Sequence, residues 1–330
     1  MNSPDFAGAT ALETATIPVI NVSRAVDGSD VAAVAAEIYA AATEVGFFYI
    51  SGHGIDPGLM DQAFDVARDF FAQPAADKAS IAVNTSQRGW MAPGMSRLQG
   101  AKTHDLKEVF FWGSDIAPDD PDLLAGKPLV AQNQWPQATF PRLQAELQPY
   151  HTALCAVARK VLSAIALSLD VTPDFFEPHY ASPLARGQLV YYPPSSASDE
   201  AEERFGVAPH TDFGVLTFLL QDNSGGLQVR MKDGTWAEAP PIPGTLVCNI
   251  GDLLQRWSND RFVSTVHRVI NRRPHARYSI PIFFDPHTDT LIDPCDLGVT
   301  PGARKHAPVK AGDHIAARNA KSFAQFQKQP

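Results

Sequence analysis

Between residues 187 and 284 the chain is a succession of short apolar segments, rich in β-branched and aromatic residues and separated by Gly, Pro, Asn and Asp. The segments are QLVYYPP, GVLTFLL, GLQVRM, GTLVCNIG, TVHRVI and RYSIPIFF. Strands this short, with no helical pattern between them, are typical of an antiparallel sandwich or barrel rather than of a parallel sheet. The sequence therefore predicts a mainly β fold.

Helical patterns lie on both sides of this β region, so flanking helices are expected. The predicted elements on the N-terminal side are a strand IPVINV (17–22), a helix over 27–46 with Ser29 or Asp30 as its cap, a strand FFYISG (47–52) and a helix over 57–74. The later regions are an irregular, turn-rich stretch (80–135), a long helical pattern that Pro149 interrupts or kinks (141–170) and a closing helix (310–327).

Charge and composition argue against several kinds of partner. The 330 residues carry a formal net charge of -9, with acidic runs at 119–122 and 198–203 that we interpret as solvated loops. A surface for nucleic acid or an anionic membrane needs an excess of Lys and Arg, so neither partner is expected. The first 16 residues lack the basic and apolar parts of a signal peptide, and the three cysteines form no CxxC pair. We therefore expect a cytoplasmic protein.

The sequence PHTDFG (209–214) places a histidine and an aspartate one residue apart before an apolar run. If residues 207–220 form one strand, His210 and Asp212 project from the same face. The run STVHRVI supplies His267 as a third ligand from another strand. Two imidazoles and one carboxylate are the ligand set of non-haem Fe(II) sites with open coordination positions, although catalytic zinc also uses this set.

A second pair of side chains helps to choose between the two metals. In HARYSIPIFF, Arg277 and Ser279 share a strand face, ten and twelve positions after His267. A guanidinium gives two parallel charge-assisted hydrogen bonds to a carboxylate, and a hydroxyl adds a third. A metal beside a carboxylate clamp is the arrangement needed to hold 2-oxoglutarate, because its 2-oxo acid end chelates iron while its far carboxylate meets the clamp. A zinc hydrolase has no need of this clamp.

With these residues the sequence resembles the isopenicillin N synthase-like family of Fe(II)/2-oxoglutarate-dependent dioxygenases. The motifs that carry the resemblance are IPVINV, GFFYISGHGID, YYPP, PHTD, GLQV, PGTLVCNIGDLLQRWSN, HRV and RYSIPIFFDP. The resemblance implies a double-stranded β-helix (jelly-roll or cupin-like) core with an N-terminal α/β region. It also implies that Tyr192 hydrogen-bonds the cosubstrate, beside the clamp of Arg277 and Ser279. Many relatives have Asn where this chain has Val190, which removes one amide from that side of the site.

The family resemblance divides the chain into four regions. They are an N-terminal dioxygenase region (15–135), a linking helical region (136–184), the Fe(II)/2-oxoglutarate core (185–290) and a C-terminal extension with the closing helix (291–330). Asn249 is interpreted as a group that supports the ligands. The aromatic residues 109–113, Phe213, Trp257 and Phe284 either wall a substrate pocket or pack in the core.

The chemistry implied is oxidation of a small-molecule substrate, above all hydroxylation, with O2 as cosubstrate and release of succinate and CO2. Desaturation, ring closure and demethylation use the same oxidant. Two alternatives are open at this stage. One is an Fe(II)-dependent oxidase of the same fold that does not use 2-oxoglutarate, and the other is a non-catalytic metal-binding β-barrel sensor. The substrate and the oligomeric state do not follow from the sequence.

Overall fold

The computed structural model describes residues 17–96, 103–196, 199, 204–271 and 273–322. Three of the sequence predictions fall at least partly elsewhere. The N-terminal segment 1–16, the acidic run 198–203 apart from residue 199, and the end of the closing helix (323–327) lie outside the described residues.

The described chain alternates short strands with helices. The helices are α1 Ser23–Val26, α2 Val31–Glu44, α3 Pro57–Phe71, α4 Ala75–Ala79, α5 Pro121–Leu124, α6 Arg142–Ser168, α7 Asp252–Trp257 and α8 Ala311–Ser322, with short 3-10 helices at Glu177–Tyr180, Pro294–Leu297 and Pro301–Ala303. The strands are β1 Val19–Asn21, β2 Phe47–Ser51, β3 Gly89–Met91, β4 Glu108–Gly113, β5 Leu184–Tyr192, β6 Val207–His210, β7 Leu216–Gln221, β8 Leu227–Arg230, β9 Trp236–Glu238, β10 Leu246–Ile250, β11 His267–Val269, β12 Arg277–Asp285, β13 Leu291–Ile292 and β14 Val309–Lys310.

Two main sheets form most of the β part of the fold, and β13 pairs with β14 in a separate two-stranded sheet. The larger has eight strands in the order β1-β2-β10-β7-β12-β5-β4-β3, and the smaller has four in the order β6-β11-β8-β9. Within both sheets the strand pairs are antiparallel except β1 with β2. The inner faces of the two sheets enclose a cavity, and the mainly β fold with flanking helices is as expected from the short segments.

The helices cover the larger sheet. Helix α6 packs against α2 and α3 and reaches β12, and its buried side chains belong to the main apolar core. Pro149 lies inside α6, which continues through it to Ser168. Among the described residues, α6 alone has the length and composition of a membrane-crossing helix, and half of its most apolar window is buried inside the protein. That burial is typical of a core helix.

The region 80–135 is less irregular than predicted. It contributes β3 and β4 to the larger sheet, and all six residues of β4 are buried. A strand that is buried on both faces has a continuous apolar run and lacks the alternation of apolar and polar residues. Hydrophobic periodicity therefore does not identify such a strand. The β region also contains a short helix, α7, which the sequence pattern did not indicate.

Candidate active site

Two histidines face each other across a strand pair. His210 ends β6 and His267 begins β11, and the two residues are Cα partners in that antiparallel pair, with ring centroids 4.2 Å apart. The Nδ1 atom of His210 donates to the Ala208 carbonyl (2.8 Å), and Nδ1 of His267 donates to the Thr265 carbonyl (3.1 Å). These bonds favour the tautomer in which each Nε2 carries a free lone pair for a metal.

Asp212 does not lie on a strand with His210, so this part of the sequence prediction was wrong. The chain leaves the smaller sheet after His210 and enters the larger one only at Leu216. Asp212 lies in the turn between them, whose backbone is held by a hydrogen bond from Val215 to the buried Asp285 carboxylate (2.7 Å). A Cβ atom on Gly214 would lie 1.9 Å from Asp285 Oδ1, so only glycine fits at this point.

The Asp212 carboxylate is oriented by two neighbours on the larger sheet. Thr217 and Asn249 are cross-strand partners, and both donate to Asp212 Oδ2, at 2.6 and 2.8 Å. Asp212 Oδ1 is left 3.9 Å from Nε2 of His210 and 3.8 Å from Nε2 of His267. Two imidazole nitrogens and one carboxylate oxygen therefore converge, all within 4.8 Å of one another, and this donor set fits a divalent metal with open positions.

The protonation states suit metal binding. Burial, followed by the charge of His267, lowers the pKa of His210 to about 4. Burial raises the pKa of Asp212, but the two histidines and the hydrogen bonds from Thr217 and Asn249 outweigh it and leave that pKa below its usual value. At neutral pH His210 is thus neutral and Asp212 ionised, as ligands must be.

Arg277 is fully buried and lines the same cavity as His210, Asp212 and His267. Its Nε donates to the Gly225 carbonyl (2.7 Å) and its Nη2 to Gln221 Oε1 (3.5 Å), while Nη1 has no hydrogen-bond partner within the described chain. No carboxylate there pairs with this guanidinium. A buried, unpaired cation is costly, so the arrangement fits an anionic ligand.

The other predicted cosubstrate residues lie around Arg277. Tyr192 is its cross-strand partner, and the tyrosine ring lies 4.7 Å from the guanidinium carbon. Ser279 is paired with Val190, and both are buried and line the cavity. The wall beside Ser279 is therefore apolar where an asparagine would supply an amide.

Aromatic residues divide between the cavity and the core. Phe111 and Phe213 line the cavity, whereas Trp257 and Phe284 are fully buried in the main apolar cluster. Seven polar residues of the described chain that line the cavity were not proposed as site residues from the sequence. They are Gln87, Lys107, Arg186, Gln188, Thr211, Thr217 and Asn319. No local motif assigns them a role, since they reach the cavity only through the tertiary fold.

Two protein-family models match the sequence. Residues 17–138 match the model described as "non-haem dioxygenase in morphine synthesis N-terminal", and residues 187–286 match the model described as "2OG-Fe(II) oxygenase superfamily". The two matches together span more than half of the chain. The chain belongs to the 2OG-Fe(II) oxygenase superfamily.

Relatives of this oxygenase match it over nearly its whole length. The 2-oxoglutarate-Fe(II) type oxidoreductase hxnY of Emericella nidulans is 34% identical over 312 residues, which are 91% of this chain and 88% of hxnY. A homoarginine-6-hydroxylase of Oryza sativa subsp. japonica is 34% identical over 324 residues, or 93% of this chain and 97% of the relative. A full-length Neurospora crassa protein, solved in complex with alpha-KG, superimposes with a TM-score of 0.81 at 27% identity, covering 95% of this chain and 99% of its own.

Membership of this superfamily confirms several of the predictions made from the sequence. The core is a double-stranded β-helix with an N-terminal α/β region, as predicted. The protein is an Fe(II)- and 2-oxoglutarate-dependent dioxygenase, an oxidoreductase that uses iron, 2-oxoglutarate and O2. These findings support this activity over the oxidase without 2-oxoglutarate, the non-catalytic sensor and the zinc site.

Proposed function

We propose that His210, Asp212 and His267 bind the iron, through the two Nε2 atoms and Asp212 Oδ1. Arg277 and Ser279 bind the far carboxylate of 2-oxoglutarate, and the Tyr192 hydroxyl adds a hydrogen bond. One observation carries this proposal: the buried Arg277 guanidinium, which has no carboxylate partner in the described chain, lines the same cavity as the convergent donor set. A metal ion binds the convergent donor set, and the far carboxylate of the dianionic cosubstrate supplies the counter-charge for Arg277.

When bound, the iron and 2-oxoglutarate supply O2 activation, in which 2-oxoglutarate becomes succinate and CO2 and one oxygen atom is inserted into a C–H bond of the substrate. The protein's own residues position the reactants and limit water. Thr217 and Asn249 hold the Asp212 carboxylate in one orientation. Phe47 packs edge-on against the His267 ring at 5.1 Å and so excludes water from that side.

The substrate we propose is a small molecule that is hydroxylated. The cavity volume of about 130 Å³ and its enclosure by two sheets and α8 support a small ligand. Among the relatives, at least three are named homoarginine-6-hydroxylases, and the Neurospora crassa protein has been solved with thymine. Both names indicate small, polar substrates, which agrees with the polar side chains on this cavity wall.

Three further sequence predictions remain proposals. The acidic charge and the composition support a cytoplasmic location and the absence of nucleic-acid or membrane partners. The division into regions 15–135, 136–184, 185–290 and 291–330 rests on the sequence pattern.

The proposal is tested by anaerobic titration of 2-oxoglutarate into the Fe(II)-loaded protein. Bidentate chelation by the 2-oxo acid end gives a visible metal-to-ligand charge-transfer band, and we expect this band to saturate at one equivalent. Succinate, whose carboxylate can meet Arg277 but which has no 2-oxo group, serves as the control and gives no band. Iron binding without a band would contradict the proposed cosubstrate site.

Replacement of Thr217 by valine tests the support of the carboxylate ligand. The valine keeps the shape of the side chain but removes the hydroxyl that donates to Asp212. We expect the Fe(II) affinity to fall about 10- to 100-fold, as for the loss of other groups that orient metal ligands. Equilibrium dialysis under anaerobic conditions measures the affinity. Thr43→Val is the matched control, because that hydroxyl bonds only to backbone carbonyls of α2, and equal affinities in both variants would refute the role of Thr217.

A further inference from the structure

Arg186 lies on the inner face of β5 and lines the cavity, but it belongs to neither the metal ligands nor the clamp. Its Nη2 donates to the fully buried Asp285 carboxylate at 2.8 Å, and its guanidinium stacks on Phe283 with 5.6 Å between the guanidinium carbon and the ring centroid. Its Nε atom is buried with no acceptor in the described chain. The guanidinium is thus held rigidly while part of its hydrogen-bonding capacity is unused.

The register of the larger sheet places Arg186 beside the metal site. Phe283 of β12 is the partner of Arg186 on one side and of Thr217 on the other. Arg186 is therefore two strands, or about 10 Å, from the residue that holds Asp212. Tyr192, which marks the clamp, lies six residues further along β5, roughly 20 Å away. Arg186 is too far along the strand to share the far carboxylate of 2-oxoglutarate, but it faces the region beside the iron.

A second buried cation lies behind Arg186. The Arg88 guanidinium packs against Gly113, the cross-strand partner of Arg186, where a Cβ atom would lie only 2.8 Å from Arg88 Nη2. Arg88 donates to backbone carbonyls, and no carboxylate pairs with it in the described part of the chain. Burial, together with the charge of Arg186, lowers the pKa of Arg88 to about 10. Of these two neighbouring guanidinium groups, Arg186 has a carboxylate partner in the described chain, Asp285, and Arg88 has none.

The remaining cation of the cavity wall is already neutralised. Lys107 Nζ lies 3.1 Å from Asp105, so the lysine has its own counter-charge. Apart from Arg277, whose proposed counter-charge is 2-oxoglutarate, the excess of positive charge lies at the Arg186 end of the cavity, where Arg186 and Arg88 lie close together and Asp285 is the carboxylate that pairs with Arg186. A buried positive charge of this kind is stabilised when an anion binds next to it.

Neutral hydrogen-bonding groups lie in the same cavity. Gln188 follows Arg186 on the same strand face, and no hydrogen bond of its side chain forms within the described residues. Gln87 and Asn319 are both buried and line the cavity, and Asn319 Nδ2 donates to Gln87 Oε1 at 3.0 Å. This bond uses one acceptor and one donor of the two amides, so Gln87 Nε2 and Asn319 Oδ1 are available to a ligand.

We propose that Arg186 anchors a carboxylate of the prime substrate, and that Gln188, Gln87 and Asn319 contact its other polar groups. The substrate is then a carboxylic acid with further hydrogen-bonding groups. Asp285 is the residue that orients Arg186. This inference rests on the proposed function, because it takes the region beside the His210, Asp212 and His267 cluster as the place of the reacting C–H bond.

The test compares carboxylic acids with their primary amides, which have the same shape but no charge. The probes are pentanoate and pentanamide, 3-phenylpropanoate and 3-phenylpropanamide, and N-acetyl-L-leucine and its amide. Isothermal titration calorimetry measures their binding to protein loaded with Zn(II) and 2-oxoglutarate, which cannot turn over. We expect at least one acid to bind about tenfold or more tightly than its amide. In Arg186→Gln we expect this preference to fall to within about twofold, with 2-oxoglutarate binding unchanged.

Two controls separate anchoring from a structural role. Arg230→Gln makes the same charge change at an exposed position of β8 and should leave the preference intact. The double variant Arg186→Gln, Asp285→Asn removes the unpaired buried carboxylate that the single variant creates. If the single variant acted only by disturbing the turn of Asp212, the double variant would restore the preference for acids. On our proposal the preference stays lost.

Three results would overturn the proposal: equal binding of acid and amide in every pair, an acid preference that survives Arg186→Gln, or no binding of any acid up to about 10 mM. The acids are also titrated into the metal-free protein, where Arg186 is present without iron or cosubstrate. Failure of 2-oxoglutarate to bind the metal-loaded protein counts against the proposed function instead, so the two failures are distinguishable.

Discussion

Replacement of His267 by alanine is expected to lower the Fe(II) affinity by more than about a hundredfold and to abolish succinate formation. The reason is that His267 supplies one of three converging donor atoms, and a direct ligand contributes more than the groups that orient ligands, whose loss costs about 10- to 100-fold. The two remaining donors, His210 and Asp212, cannot define the same site. Anaerobic equilibrium dialysis measures the affinity, and succinate release measures turnover.

The control for this variant is His151→Ala. His151 is a similarly buried histidine on α6, where it contacts the Ala185 carbonyl, and it is not one of the three converging donors. Both substitutions leave a space of similar size, so any general loss of stability should be similar in the two variants. If iron affinity fell equally in both, the effect would come from weakened packing, and the assignment of His267 as a ligand would be contradicted.

The convergence of the three proposed ligands could be predicted from the sequence because their chemistry is carried by residue type and short spacing. His210 and Asp212 lie one residue apart, and His267 lies in a β-branched run that forms a strand. The structure brings the three together, but not in the way expected. The strand that was predicted over 207–220 is interrupted where the chain passes from one sheet to the other, and the apolar run VLTFLL does not show this change of sheet.

The groups that surround the ligands were harder to predict, since their partners are distant in the chain. Arg186 is bound by Asp285, 99 residues later, and Asp285 also holds the turn that carries Asp212. Arg186 belongs to none of the motifs, and Asp285 lies in RYSIPIFFDP without any sign there of its distant partners. Their relation depends on the register of β5 with β12, which hydrophobic periodicity alone does not determine. Arg88 is equally hard to predict, because its guanidinium lies beside Arg186 only where Gly113 leaves room for it.

Replacement of Arg277 by methionine is expected to weaken the binding of 2-oxoglutarate by about 30-fold to several thousandfold. Removing one partner of a buried, hydrogen-bonded charge pair costs about 2–5 kcal/mol of binding free energy, which corresponds to this range of affinities. Methionine has an unbranched side chain that occupies most of the same space without the charge. The measurement is the charge-transfer titration of the Fe(II)-loaded protein, and iron affinity itself should stay unchanged.

The same substitution has an expected effect on the thermal stability of the protein without cosubstrate. The Arg277 guanidinium is fully buried and its Nη1 has no partner in the described chain, which costs free energy as long as no anion is bound. We therefore expect Arg277→Met to be at least as stable as the native protein to heat when 2-oxoglutarate is absent. Adding 2-oxoglutarate should then stabilise the native protein but not the variant, because a ligand raises stability only in proportion to its binding.

These two results together separate a clamp from a structural arginine. A structural Arg277 would make the variant less stable in the absence of ligand and would leave the affinity for 2-oxoglutarate nearly intact. The exposed Arg273, four residues earlier on the same segment, provides the matched control Arg273→Met, for which both the affinity and the stability should remain at native values. A clamp predicts weaker binding without loss of stability, since the buried charge of Arg277 has its counter-charge on the cosubstrate and not in the protein.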